Sequence, residues 1–116
     1  MRYDDFEGST YIVLQPDSVN NSYRFVFNAA LTSTGKGSIP YDTLMTSASV
    51  SGYAEDGSDV SAIMIGSVAL FASEEAVVVK LVYPGSAGRY KIKFLLTVSD
   101  SSVWEKDFNR IEALDL

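Results

Sequence analysis

The chain has no cysteine and no histidine in 116 residues. The first absence removes disulfides, thiolate nucleophiles and cysteine-ligated zinc, so stability has to come from packing and the redox compartment stays open. The second removes the commonest general base, the imidazole metal ligand and the usual pH switch, and with them Ser-His-Asp and Cys-His catalysis. Positive charge is also scarce: nine Lys and Arg stand against fifteen Asp and Glu, a formal charge of −6. Phosphate-backbone binding needs clustered cations, so no nucleic acid partner is expected. Apolar runs break at charges or Gly well short of the length that crosses a bilayer as a helix, so no membrane partner is expected either. The opening MRYDDFEG is acidic, and a secretory signal peptide is not expected in it.

What remains is a folding composition. With 47% hydrophobic and 21% charged residues, the chain is too apolar for disorder. At this length one core buries roughly two thirds of the surface the unfolded chain exposes. A single domain over residues 1–116 is expected, with 1–8 and 112–116 as extended termini.

The segment Val77 to Phe108 has the strongest pattern. An apolar VVVKLVY run is followed by Pro84-Gly85-Ser86-Ala87-Gly88, the alternating RYKIKFLLTV, a polar turn and VWEKDF. In RYKIKFLLTV, Tyr90, Ile92, Phe94, Leu96 and Val98 share one face while Arg89, Lys91, Lys93 and Thr97 take the other, the period of two of a half-buried strand. The corner Gly88-Arg89-Tyr90, with Ile92 two residues on, resembles the tyrosine corner of immunoglobulin domains, Ile92 standing where those domains carry their second core cysteine. The expected fold is all-β: an immunoglobulin-like β-sandwich of about seven antiparallel strands, with Gly88, Tyr90, Ile92, Phe94 and Trp104 as its structural residues.

Other segments follow the same reasoning. Ser9 to Leu14 reads as an edge strand that stops at Gln15-Pro16-Asp17. Ser22 to Leu31 alternates, with Tyr23, Phe25, Phe27 and Leu31 on one face, and Phe25 or Phe27 is expected opposite Ile92. Thr32 to Asp42 is loop by composition. Its Gly35-Lys36-Gly37-Ser38 lacks the upstream Gly and following helix of a phosphate loop, so a flexible loop is expected, with Ile39, Pro40 and Tyr41 as candidates for a partner contact. Thr46 to Tyr53 is a small-residue strand leading into a turn whose Asp56-Gly57 supplies a positive φ. Val60 to Ala72 reads as two short strands or one bent strand rather than a helix. Keeping Trp104 and Phe108 on the core side with Phe94 and Leu96 requires an odd-numbered loop such as Ser99 to Ser101. That register sets Lys93 opposite Asp107, turns Lys106 inward, and predicts a bulge or the end of pairing near Asn109 to Ile111, beyond which the tail from Glu112 leaves the sheet.

Three acidic groups could be mistaken for sites: Asp4-Asp5 with Glu7, Glu55-Asp56 with Asp59, and Glu74-Glu75. Two-carboxylate hydrolysis needs facing groups with one buried, whereas these sit in turns or near a terminus and read as solvated charge. Calcium at Asp56 and Asp59 would want a DxDxDG spacing that is missing. No metal, cofactor, catalytic residue or small-molecule substrate is expected. Of the aromatics Tyr3, Tyr11, Tyr41, Tyr53 and Trp104, most are expected in the core, with Tyr3 and Tyr41 at the surface.

The order of these elements resembles the small immunoglobulin-like proteins of tailed bacteriophages known as fiber-tail adaptor or neck-tail proteins. The likeness runs from Asp17 to Ile111. It is carried by the aromatic strand Asp17 to Phe27, the Thr-Ser-Ala strand Thr46 to Val50, and the run Val77-Val78-Val79-Lys80-Leu81, Pro84 to Phe94, Thr97-Val98-Ser99-Asp100. Pro84 and Ser101 stand where that pattern has Gly. The resemblance implies a non-enzymatic virion structural protein, made in the host cytoplasm and located in the phage tail or neck. Its implied partners are portal, tail tube or fiber components, within a homo-oligomeric ring. Contacts would fall on edge strands, the long loop and the termini, with Tyr3, Phe6, Ile39, Pro40, Tyr41 and Leu114 as interface candidates. The other reading is a receptor- or glycan-binding immunoglobulin-like module.

Overall fold

In the computed structural model of the chain, residues 2–5 are described by their backbone alone, and 11–17 and 22–115 in full. Phe6 and the first residues of the expected Ser9 to Leu14 strand lie outside them. Eight strands occur among the described residues: β1 (Arg2–Asp5), β2 (Ile12–Leu14), β3 (Ser22–Val26), β4 (Met45–Ala54), β5 (Ile65–Phe71), β6 (Ala76–Leu81), β7 (Gly88–Val98) and β8 (Val103–Ala113). They form two sheets, β1-β3-β6-β5 and β2-β8-β7-β4, packed as an all-β sandwich. The orders correspond to the A-B-E-D and G-F-C arrangement of immunoglobulin domains, with β2 added beside the last strand.

Not every pair is antiparallel. β1 runs parallel to β3 and β2 parallel to β8, which corrects the expected termini. Residues Arg2–Asp5 form a strand, and β8 continues through Glu112 and Ala113. The Leu114 amide then donates to the Leu14 carbonyl at 2.9 Å. The reason is hydrophobic: Ile12, Leu14, Ile111 and Ala113 are all buried, so leaving the sheet would expose an apolar row at the edge of the core.

The center of the core is aromatic. Phe94 of β7 lies between Phe25 and Phe27, with ring centroids 4.9 and 5.0 Å away, and Phe108 stands edge-on to Phe25 at 5.3 Å. Phe94 is thus the ring that meets Phe25 and Phe27, and Ile92, one alternation before it, is fully buried in the same core. Leu31, placed by parity beside Phe27, is 90% exposed, because β3 ends at Val26 and the chain enters the 28–41 loop after the buried Phe27.

The β7–β8 hairpin follows the odd-loop register. The Val98 amide donates to the Ser102 carbonyl across Ser99, Asp100 and Ser101, and Lys93 stands opposite Asp107. The Lys93 ammonium nevertheless reaches diagonally to Glu105, at 3.8 Å. Asn109 and Arg110 together oppose Lys91, between the pairs Tyr90–Ile111 and Ile92–Phe108. That bulge restores the phase which brings Ile111 back to the core.

Val60 to Ala72 divides differently from the expected two short strands or one bent strand. One helical turn, α1 (Ser61–Met64), precedes β5. The Asp59 carboxylate accepts from the Ser61 amide at 2.9 Å, and Met64 drops into the core against Gly52, so a local turn and one buried anchor outweigh the β-branched composition.

Candidate functional site

The corner before β7 is built as its sequence suggests. Gly88 adopts φ +148°, and the hydroxyl of the nearly buried Tyr90 donates to the Ser86 carbonyl at 2.8 Å, with Ser86 Oγ at 3.2 Å. This bond ties β7 to the loop that crosses from the other sheet, giving the corner a structural task.

The acidic groups are tied into turns. Asp56, Asp59 and Asp100 repeat one arrangement, each accepting at Oδ1 from the amide and hydroxyl of the serine two residues on. Those bonds, the serine hydroxyl first, lower all three pKa values below the usual aspartate range. Glu74 pairs with Arg24 at 2.9 Å, and Glu75 accepts from the Ala29 amide at 2.5 Å. Among the described residues no cluster of three or more acidic side chains could hold a metal. Glu55, Asp56, Asp59 and Glu74 are exposed turn carboxylates, as expected, while the half-buried Glu75 in addition holds the start of the 28–41 loop.

That loop is pinned to the fold. The Ser38 amide donates to the Asn28 carbonyl at 2.7 Å, the Ala30 amide to the Ile39 carbonyl at 3.0 Å, and the Thr43 hydroxyl to the Pro40 carbonyl at 2.6 Å. Gly37 packs so tightly that a Cβ there would meet the Ala30 amide nitrogen, and Ala30 Cα at 2.7 Å. As a result Ile39, expected at an interface, is buried at 2% exposure and belongs to the core. Pro40 is half-buried and Tyr41 is exposed. Leu114 is half-buried beside β2, and Tyr3 lies in β1, opposite Arg24 in register.

Trp104 departs from its expected place. It is opposite the buried Leu96, on the inward face, yet remains 39% exposed. What faces it is the 28–41 loop, which stands off and leaves a cleft of about 630 Å³ between them. The polar residues Asn28, Ser33, Lys36 and Ser38 and the rings of Tyr41 and Trp104 line it. Trp104 Nε1 donates to Ser102 Oγ at 2.9 Å, and the Lys106 ammonium lies over its ring, 5.9 Å from the centroid.

No protein-family model matches the chain, and no curated protein matches it.

The second surface is a pair of strand edges. β4 and β5 are the outer strands of the two sheets on the same side of the sandwich and touch one another. Gly52 of β4 turns its N–H to Ser61 Oγ and its C=O to the Val60 amide, both at 2.9 Å. By the alternation of an antiparallel ladder, Val50 and Ala48 aim their backbone groups the same way, beyond the reach of α1. Neither the ten residues of β4 nor the seven of β5 include a charge, in a chain that is 21% charged. Edge strands of monomers are usually blunted by Lys, Pro or shortness. The opposite edges fit that rule, since β1 carries Arg and Asp and β2 has three residues.

Proposed function

We propose that this protein is a non-enzymatic structural adaptor in the virion of a tailed bacteriophage, where it joins tail, neck or fiber components as one subunit of a ring. The observation that carries this reading beyond sequence resemblance is the adjoining pair of uncharged edges on β4 and β5. A neighbouring subunit or fiber component adds a strand to such an edge, the backbone giving affinity and the small Ser and Ala side chains of β4 leaving room for close approach. Mass spectrometry and electron microscopy of purified virions test it: the polypeptide should be present at a fixed stoichiometry in the tail or neck, and its absence ends the proposal. Val68→Lys, which puts a charge on the β5 edge, should leave the isolated chain folded but reduce its incorporation.

The cleft beside Trp104 favours a second reading, a receptor- or glycan-binding module. A glycan array probed with the isolated chain separates the two, since a pure adaptor gives no signal there.

A further inference from the structure

We infer that the Trp104 cleft is a binding site for an acidic saccharide, a sugar ring bearing a carboxylate. The inference deepens the second reading and rests on its cleft; it does not depend on assembly. Volume and lining suit a ligand with both an apolar and a polar side. About 630 Å³ falls within the range of small-molecule sites, and the lining combines two partly exposed rings with an amide and two hydroxyls. The C–H face of a pyranose covers an aromatic ring and releases water from both, while its hydroxyls require donors and acceptors close by. Tyr41 and Trp104 supply the first need, and Asn28, Ser33 and Ser38 the second.

Charge selects the class of sugar. The chain carries −6 overall, yet no Asp or Glu lines this cleft, while Lys36 does. Lys36 makes no salt bridge among the described residues and is the one charged residue of the lining, while the Lys106 ammonium lies over the Trp104 ring without lining the cleft. The cleft is therefore locally cationic on an anionic molecule, a field that attracts a carboxylate and admits a neutral sugar without preference. The tight packing of Gly37 on Ala30 and the Glu75 bond to Ala29 hold the loop wall in place, so the groups do not have to be ordered on binding.

Trp104 is the chain's single tryptophan, so its fluorescence reports occupancy of this cleft alone. Titration with trigalacturonate and 3′-sialyllactose should shift and saturate the emission. The methyl ester of trigalacturonate and lactose, which lack the charge, should bind about tenfold more weakly, the usual worth of one charge-assisted hydrogen bond. Raising the salt should narrow that gap. Lys36→Ala should weaken the acidic sugars about tenfold relative to the neutral ones, removing the preference, and Lys36→Arg should keep it. Lys36 is exposed, so unfolding curves of these variants should match the parent. Equal binding of acidic and neutral sugars overturns the acidic assignment and leaves the glycan reading standing. Binding to none of the four overturns both, as does a response to an acidic peptide or inorganic phosphate that matches trigalacturonate.

Discussion

Removing the Tyr90 hydroxyl in Tyr90→Phe isolates one bond, because the ring can stay where it is. The hydroxyl donates to the Ser86 carbonyl at 2.8 Å and lies 3.2 Å from Ser86 Oγ. Ser86 is exposed, so water can take over its carbonyl and no buried acceptor is stranded. The cost is then the net worth of a single hydrogen bond, about 1 kcal/mol, rather than the larger penalty for an unsatisfied buried group. Against a total stability of roughly 5–15 kcal/mol this is measurable, and it corresponds to a melting shift of about 4 °C for a chain of this size. Urea titration followed by Trp104 fluorescence, with circular dichroism to verify a single transition, gives the difference. Ser86→Ala keeps the carbonyl and should cost under about 0.5 kcal/mol, whereas Tyr90→Ala empties a buried site and should cost about 3 kcal/mol or more. A loss below about 0.3 kcal/mol in Tyr90→Phe would show that the corner bond contributes nothing. A loss near that of Tyr90→Ala would place the hydroxyl in a buried network, and either result refutes the reasoning.

Other perturbations test neighbouring parts of the structure. Ser101 sits at φ 73° in the β7–β8 turn, a left-handed position normally given to glycine, so Ser101→Gly should stabilise the chain by about 1 kcal/mol in the same urea assay. Gly37→Ala forces a methyl group against the Ala30 backbone and should cost about 1–3 kcal/mol. It should also change the Trp104 emission, because the cleft wall moves. The depressed pKa values of Asp56, Asp59 and Asp100 set the sign of a pH effect: their contribution is complete above the ordinary aspartate pKa, about 3.9, and is lost as pH falls through the lower folded values. Urea midpoints should therefore drop on acidification below about pH 4, and Asp100→Asn should flatten that drop.

The alternation of RYKIKFLLTV was enough to orient β7, because a strand with one buried face admits only one parity. Parity also required an odd turn, and from that turn followed the pairing of Lys93 with Asp107 and the bulge ahead of Ile111. The tyrosine corner was legible for a similar reason: a Gly, a Tyr two residues later and an apolar residue two beyond that describe a local geometry. The cleft left a weaker trace. Lys36 lies in a segment whose Gly, Ser and Thr content marks it only as a loop, and Trp104 has the parity of a core residue.

Sequence by itself determined which residues alternate and where the chain must turn, since these depend on neighbours within a few positions. Tertiary structure alone decided what stands opposite each face. Trp104 is half-open because a loop, and not a strand, faces it, while Ile39 is buried because that loop folds back onto Asn28 and Ala30. The parallel pairing of the terminal strands likewise depends on partners distant in the chain, as Ile12 and Ile111 are, and no local pattern encodes that meeting. Burial depends on which surfaces meet, and hydrophobicity only ranks the residues that gain from it.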